Sequence, residues 1–232
     1  MLNQTLSAII LTIAGSLSCA AQALDCPAPG ALAEFVEAAY GKSVEFDVFR
    51  NGKKVGKHET RFRAAGEKLA VSSKMNLVVK VLFIPVYAFE YVSDALWCED
   101  GLYSLDAVTD KNGNRTVTKL VRDGHQTAVS GPGGDATSPR PLYPTNHWNS
   151  RVLDEKQVLN TITGRINDVT FSSCGVLPES VPPRLKRAKC HAYSGDLEAL
   201  VWFDDQQRWV GLAFKGDDGS DIVYACSSCE RQ

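Results

Sequence analysis

Hydrophobic positions change their spacing once, early in the chain. Between Ala31 and Tyr40, Leu32, Phe35, Val36 and Ala39 recur at helical intervals and form one apolar stripe, and Gly41 stands where such a helix would stop. A helix this short needs something to lie against. From Ser43 the period becomes two. Val44, Phe46 and Val48 alternate with Glu45 and Asp47 up to Asn51-Gly52, a strong hairpin signal because both residues tolerate positive φ. The return strand runs to about Arg63 and turns again at Ala65-Gly66. Leu69, Val71, Met75, Leu77, Val79 and Val81 then alternate over a long span with Ser73 on the same face, which predicts a strand bent within a curved sheet. Pro85 breaks the run Val81-Leu82-Phe83-Ile84 and cannot donate to a ladder, so it predicts a corner or an edge. Beyond it Tyr87, Phe89 and Tyr91 share one face and lead toward Trp97.

Turn signals then arrive at short, regular intervals: Glu99-Asp100-Gly101, Lys111-Asn112-Gly113-Asn114 and Asp123-Gly124. This is the rhythm of an antiparallel sandwich or barrel. Residues 131–145 interrupt it with Gly131-Pro132-Gly133-Gly134, Pro139, Pro141 and Pro144, and predict a lid, a binding loop or a disordered tip. A short helix or turn is expected over Asn146 to Glu155, and strands resume from Gln157 to Cys226. The predicted architecture is all-β: a large antiparallel barrel or curved half-barrel of about a dozen strands, because wide open sheets curl and free edges are a liability. The helix Ala31–Tyr40 would lie against its open side or mouth.

The first 23 residues add a compartment. Ala8-Ile9-Ile10-Leu11-Thr12-Ile13-Ala14-Gly15 is an uncharged apolar run, and Ala21-Gln22-Ala23 has the small residues read by signal peptidase. The expectation is a signal peptide over 1–23, cleavage before Leu24, and one domain over 24–232 that is soluble and monomeric in the periplasm, with no transmembrane span after cleavage. Cys19 offers a lipid-anchored alternative, although Ser16 stands where a lipoprotein site carries Leu. Export gives the remaining cysteines, Cys26, Cys98, Cys174, Cys190, Cys226 and Cys229, a disulfide reading. Cys174 and Cys190 flank one irregular stretch, Gly175 to Lys189, and are the favoured pair. A hydrophobic content of 44% describes a globular protein with a core, and a net charge of −2 gives no reason to expect nucleic acid or an anionic membrane surface as a partner.

Candidate chemistry is sparse. Cys226-Ser227-Ser228-Cys229 is a C-x-x-C, but it closes an all-β pattern rather than opening a helix in a βαβ unit, so it reads as structural. His58, His125, His147 and His191 lack metal-ligand spacing, and no metal or cofactor is expected. Asp204-Asp205 and Asp217-Asp218 sit in turns without the alternation of a calcium loop. No nucleophile elbow, phosphate loop or zinc-protease motif occurs. Thr145-Asn146-His147-Trp148-Asn149 groups an imidazole, a large ring and two amides beside the long loop, which makes His147 the one catalytic candidate.

Three stretches carry a resemblance. Phe46 to Gly56, Lys80 to Tyr87, and Asn146-His147-Trp148-Asn149 with Leu159 to Gly164, together with Gly195-Asp196-Leu197-Glu198, resemble an uncharacterised family of secreted proteobacterial β-rich proteins. That family is distantly similar to a larger group of periplasmic β-rich proteins of unknown function that open with a G-x-x-x-G hairpin. The resemblance implies a curved antiparallel sheet or barrel and a Gram-negative periplasm, and it implies no reaction. Cys226 and Cys229 lie outside its pattern. The expected function is a binding or carrier module for an apolar small molecule or lipid-like ligand, with Tyr87, Phe89, Tyr91, Trp97 and Trp148 lining the site. The alternatives are an enzyme with a site near His147, or a structural or assembly factor of the cell envelope without a small-molecule site.

Overall fold

The computed structural model describes residues 26–229 except 125 and 178. The expected signal segment, the cleavage point before Leu24 and Cys19 lie outside the described residues, as does His125. Helix α1 spans Gly30–Tyr40, one residue longer than its stripe predicts. It is followed by β1 (Ser43–Arg50), β2 (Lys53–Ala65), β3 (Lys68–Val81), β4 (Ile84–Cys98), β5 (Gly101–Lys111), β6 (Asn114–Arg122), β7 (Thr127–Ser130), β8 (Ala136–Ser138) and β9 (Tyr143–Pro144). The second half holds β10 (Gln157–Leu159), β11 (Ile166–Ser173), β12 (Lys189–Gly195), β13 (Ala199–Phe203), β14 (Trp209–Lys215) and β15 (Asp221–Cys226).

These form one 15-stranded sheet in the order β8-β7-β6-β5-β4-β3-β2-β1-β15-β14-β13-β12-β11-β10-β9. The chain builds one wing outward from β1, returns along the seam, and builds the other wing inward until β15 pairs with β1 through Phe46↔Cys226 and Val48↔Tyr224. The sheet curls until its wings meet through loops. Leu102 N donates to Leu142 O at 3.1 Å, and Gly133 N to Thr163 O at 2.7 Å. The end strands β8 and β9 do not pair with each other, so the sheet is curved and open. The barrel alternative is corrected on this point: a closed hydrogen-bonded barrel is not formed.

Residues 131–145 supply the seam, which corrects their reading as a lid or loose tip. β8 extends the β7 edge, β9 runs parallel to β10, and Leu142 and Tyr143 are buried. At this seam a Cβ on Gly164 would stand 2.9 Å from the Gly131 Cα, so the two backbones need glycine to pass. A second close approach falls at Gly56 in β2, where a Cβ would meet the Asn76 carbonyl oxygen at 1.9 Å beside the β1–β2 bulge. The G-x-x-x-G spacing of Gly52 and Gly56 thus joins a turn glycine to a packing glycine.

One end of the curl is sealed. Helix α1 buries Leu32, Val36, Ala39 and Tyr40 in the core. The Tyr40 hydroxyl donates to Trp148 O at 2.9 Å and accepts from Trp209 N at 2.7 Å, tying the helix to the second wing, while its ring stacks on Phe62 of β2 in the first. The Cys26–Cys98 disulfide fastens the segment before the helix to the end of β4. Cys174–Cys190 forms as favoured, and Cys226–Cys229 closes the third bridge. The strap between Cys174 and Cys190 lays Val181 and Leu185 over Trp202, Ala213, Val223 and Ala225, covering the outer face of β13–β15. Three disulfides point to an oxidising, exported location. Among the described residues no helix is long and apolar enough to cross a membrane.

Candidate functional site

Strict alternation puts every second residue of β1–β6 inside the curl, and antiparallel register stacks these residues in rows. One row runs Thr60, Ser73, Ser93, Ala107 and Thr118 across five neighbouring strands, all buried. It is a belt of short side chains, with the Thr60 and Ser73 hydroxyls 3.0 Å apart. Toward the sealed end the rows become bulky, with Phe62 stacked on Tyr40. Toward the opposite end lie His58, Met75 and Tyr91, then Leu77 and Phe89.

At that opposite end the inner face stays half-exposed. Val55, Leu77, Tyr87, Leu212, Phe214 and Ile222 all pack on the core without being covered. A cavity of about 300 Å³ lies beside the ends of β12–β15 and is lined mostly from their outer face, by Leu200, Ala213 and Val223 with Ser180 of the 174–190 segment, while Tyr193, Ala199, Phe214 and Ile222 reach it from the inner side. It does not touch Tyr87, Phe89, Tyr91 or Trp97. Across the same opening Lys111 of the β5–β6 turn pairs with Asp217 of the β14–β15 turn at 2.6 Å, joining strands that are not neighbours in the sheet.

The five expected ligand-lining residues divide between the ends. Tyr87, Phe89 and Tyr91 run along the inner face of β4 from the open end inward, and the Tyr91 hydroxyl donates to Thr161 Oγ1 at 2.9 Å. Trp97 lies ten residues beyond Tyr87 along β4, about 30 Å at the usual strand rise. It is fully buried against Trp148 and Tyr143, with ring centroids 4.7 and 5.7 Å away. Trp148 packs on Phe62 as well, so both tryptophans belong to the sealed core.

His147 is also buried, with its ring against Tyr193 and Trp209 at 5.4 and 5.6 Å. His58 packs against Phe46, Trp209 and Tyr224. Burial drives the His58 pKa down to about 4, and burial with the neighbouring His58 drives His147 to about 3, so both rings are neutral at pH 7. Burial raises the Tyr193 and Tyr224 hydroxyls well above the ordinary range. The Nδ1 atoms of both histidines, Tyr193 OH and Asn149 Nδ2 are buried without a hydrogen-bond partner in the protein. Such a group of unpaired atoms accommodates water or a polar head rather than a charge. Among the described residues no three His, Cys, Asp or Glu side chains come together as a metal-ligand set.

Residues 46–227 match the family described as a domain of unknown function, DUF6134. The chain belongs to this family. No curated protein and no solved structure matches it. The DUF6134 match runs from Phe46 in β1 to Ser227 just beyond β15, so the family's domain is the curled sheet. Helix α1, Cys26 and Cys229 lie outside the matched residues.

Three features of this DUF6134 domain escape sequence reasoning. The half-exposed rim residues Leu212, Phe214 and Ile222 carry the same alternation as core residues, and only the curl shows that they border an opening. His58 sits in a two-residue period that signals an inward face, but its isolation from other ligands gives it no motif. The third is the β3–β4 turn, where the structure corrects the reading of Pro85 as a corner. The chain reverses at Leu82-Phe83, and Pro85 lies within β4 opposite Lys80 beside a bulge, on a stretch with no β5 partner, so the edge alternative holds and the corner does not.

Proposed function

We propose that the protein is a periplasmic binding or carrier protein for an apolar or lipid-like ligand, taken in at the open end of the curled sheet. One observation carries this reading: the apolar inner face remains half-exposed at one end only, around Leu77, Tyr87, Phe214 and Ile222, while helix α1 and Tyr40 close the other. Exposed apolar area of this kind costs about 25 cal/mol per Å² in water, and a ligand's hydrocarbon removes that cost. The belt from Thr60 to Thr118 keeps side chains short beyond the rim, where bulky residues would fill the same width. The unpaired groups near His147 and Tyr193 supply neutral hydrogen-bonding partners for a polar head. A polypeptide with three disulfides suits the periplasm, where such bonds persist. In this reading Tyr87, Phe89 and Tyr91 contact ligand, whereas Trp97 and Trp148 hold the closed end.

The test is a tryptophan reporter just inside the rim, at the buried Phe89. Phe89→Trp should give fluorescence that shifts and saturates on addition of fatty acid or phospholipid. No response across several lipid classes, with circular dichroism unchanged, would move the assignment to an assembly factor without a small-molecule site.

A further inference from the structure

The β3–β4 hairpin stands clear of its neighbours. Pairing of β3 with β2 ends at Leu77↔Gly56, and pairing of β4 with β5 ends at Phe89↔Lys111. Beyond those points residues 78–87 pair only with each other. At a rise of about 3.3 Å per residue this two-stranded ribbon reaches roughly 16 Å past the last pair shared with β2. A lone ribbon of two strands is marginal in water, and its composition worsens its position there. Leu82, Phe83, Ile84 and Val86 are 86%, 94%, 66% and 54% exposed, and Val78 is exposed as well.

The turn itself is strained. Leu82 and Phe83 hold φ values of 48° and 72°. The protein makes the same kind of reversal at Asn51-Gly52, with φ of 46° and 75°, and at Asn112-Gly113, with 53° and 86°. Both use the residues that this geometry favours. Among the described residues, only the protruding ribbon places a branched aliphatic and an aromatic residue in left-handed backbone, where burial does not reward them. Strain of this sort marks function.

We propose that this ribbon is a membrane-docking finger that inserts Leu82 and Phe83 into the surface of a bilayer containing anionic lipid. Its shape is convex, so a flat, deformable lipid surface receives it without a matching pocket. Its length exceeds the depth of a headgroup layer, which is about 5–8 Å on each side of the hydrocarbon. Its charge is complementary. Lys80 is the only charged residue between Met75 and Phe89, and it lies exposed two residues before the turn. Lys53 on the β1–β2 hairpin, with no ion pair among the described residues, flanks the ribbon on one side, whereas Lys111 on the other is already paired with Asp217. Tyr87 at the ribbon's base takes the interfacial position that amphipathic rings favour. The finger borders the open rim, so docking would bring that rim to the bilayer. Docking itself requires no cargo, and the proposal stands apart from the carrier reading.

The experiment is flotation of the purified protein with vesicles of phosphatidylcholine alone and of phosphatidylcholine mixed with phosphatidylglycerol. The protein should float with the mixed vesicles and less with the neutral ones. The variant Leu82→Asn/Phe83→Gly installs the turn chemistry used elsewhere in the molecule, so its fold survives. Its partition should fall at least about tenfold, since one large side chain leaving hydrocarbon suffices for that. Lys80→Gln should weaken binding to the mixed vesicles only. The proposal is overturned if the protein floats with neither vesicle, or if the double variant floats as well as the parent. It is also overturned if the finger instead mediates a dimer that sedimentation detects and the double variant abolishes.

Discussion

Replacing Leu82-Phe83 by Asn-Gly should make the protein more stable, although it removes two large hydrophobic residues. Both residues sit in left-handed backbone, at φ of 48° and 72°. That region costs an ordinary L-residue about 1–2 kcal/mol through contact of Cβ with the carbonyl. Glycine escapes the cost and asparagine largely does. Leu82 and Phe83 are 86% and 94% exposed, so almost no burial is lost in exchange. Two positions give a gross relief of about 2–4 kcal/mol. Glycine's greater freedom in the unfolded chain returns up to ~1 kcal/mol. The net is a stabilisation of about 2 kcal/mol. For a chain of this size 1 kcal/mol moves Tm by about 2–4 °C, so Tm should rise by about 4–8 °C. Thermal melts and urea titrations followed by circular dichroism measure this, with an unchanged urea slope showing that the same surface unfolds. An unchanged or lowered Tm would refute the strain argument and remove the main reason to assign the turn a function.

The buried histidines make stability sensitive to acid. Their folded pKa values, about 4 for His58 and about 3 for His147, lie below the unfolded value near 6.5, so below that pH the unfolded state binds two protons that the folded state refuses. Stability should be flat above about pH 7.5 and fall below it, most steeply near pH 5 with a slope of ~2.5 kcal/mol per pH unit. A His58→Leu variant should show about half that slope in urea titrations. Removing Cys26–Cys98, which spans 72 residues, should cost about 4 kcal/mol, whereas Cys226–Cys229, spanning 3, should cost under ~2 kcal/mol. Paired Cys→Ser variants in denaturant titrations give the comparison, and amide exchange should localise the first loss to helix α1. Gly164→Ala forces a Cβ to 2.9 Å from the Gly131 Cα at a φ of +74°, and should lower stability by about 1–3 kcal/mol by prying the seam apart.

Much of the fold is written in the spacing of apolar residues. The stripe Leu32, Phe35, Val36, Ala39 gives α1 to within a residue, and Asn51-Gly52 and Asn112-Gly113 mark their hairpins. What the spacing could not show has physical reasons. The β3–β4 reversal carries no turn residue, because its backbone is strained rather than suited to its sequence. The strands β8 and β9 are short and lie among prolines and glycines, and they exist because the curl brings β7 and β10 edges to them. The site was legible in direction but not in depth. Alternation tells that Tyr87, Phe89, Tyr91 and Trp97 face inward, yet it is silent on which end of a long strand is open. Trp97 therefore falls among Trp148 and Tyr143, far from the rim, and His147 becomes a neutral core histidine beside Trp209. The belt of Thr60, Ser73, Ser93, Ala107 and Thr118 is visible only once register aligns five strands.

The carrier reading meets its most direct test in what the protein holds when it leaves the cell. Protein purified from its native envelope fraction without detergent, measured intact by native mass spectrometry and again after solvent extraction, should carry an added mass in the range of a fatty acid or phospholipid. A Phe214→Glu variant at the rim should carry much less while keeping the parent's circular dichroism. A parent protein that is folded, purified under the same conditions and free of any added mass would contradict the account.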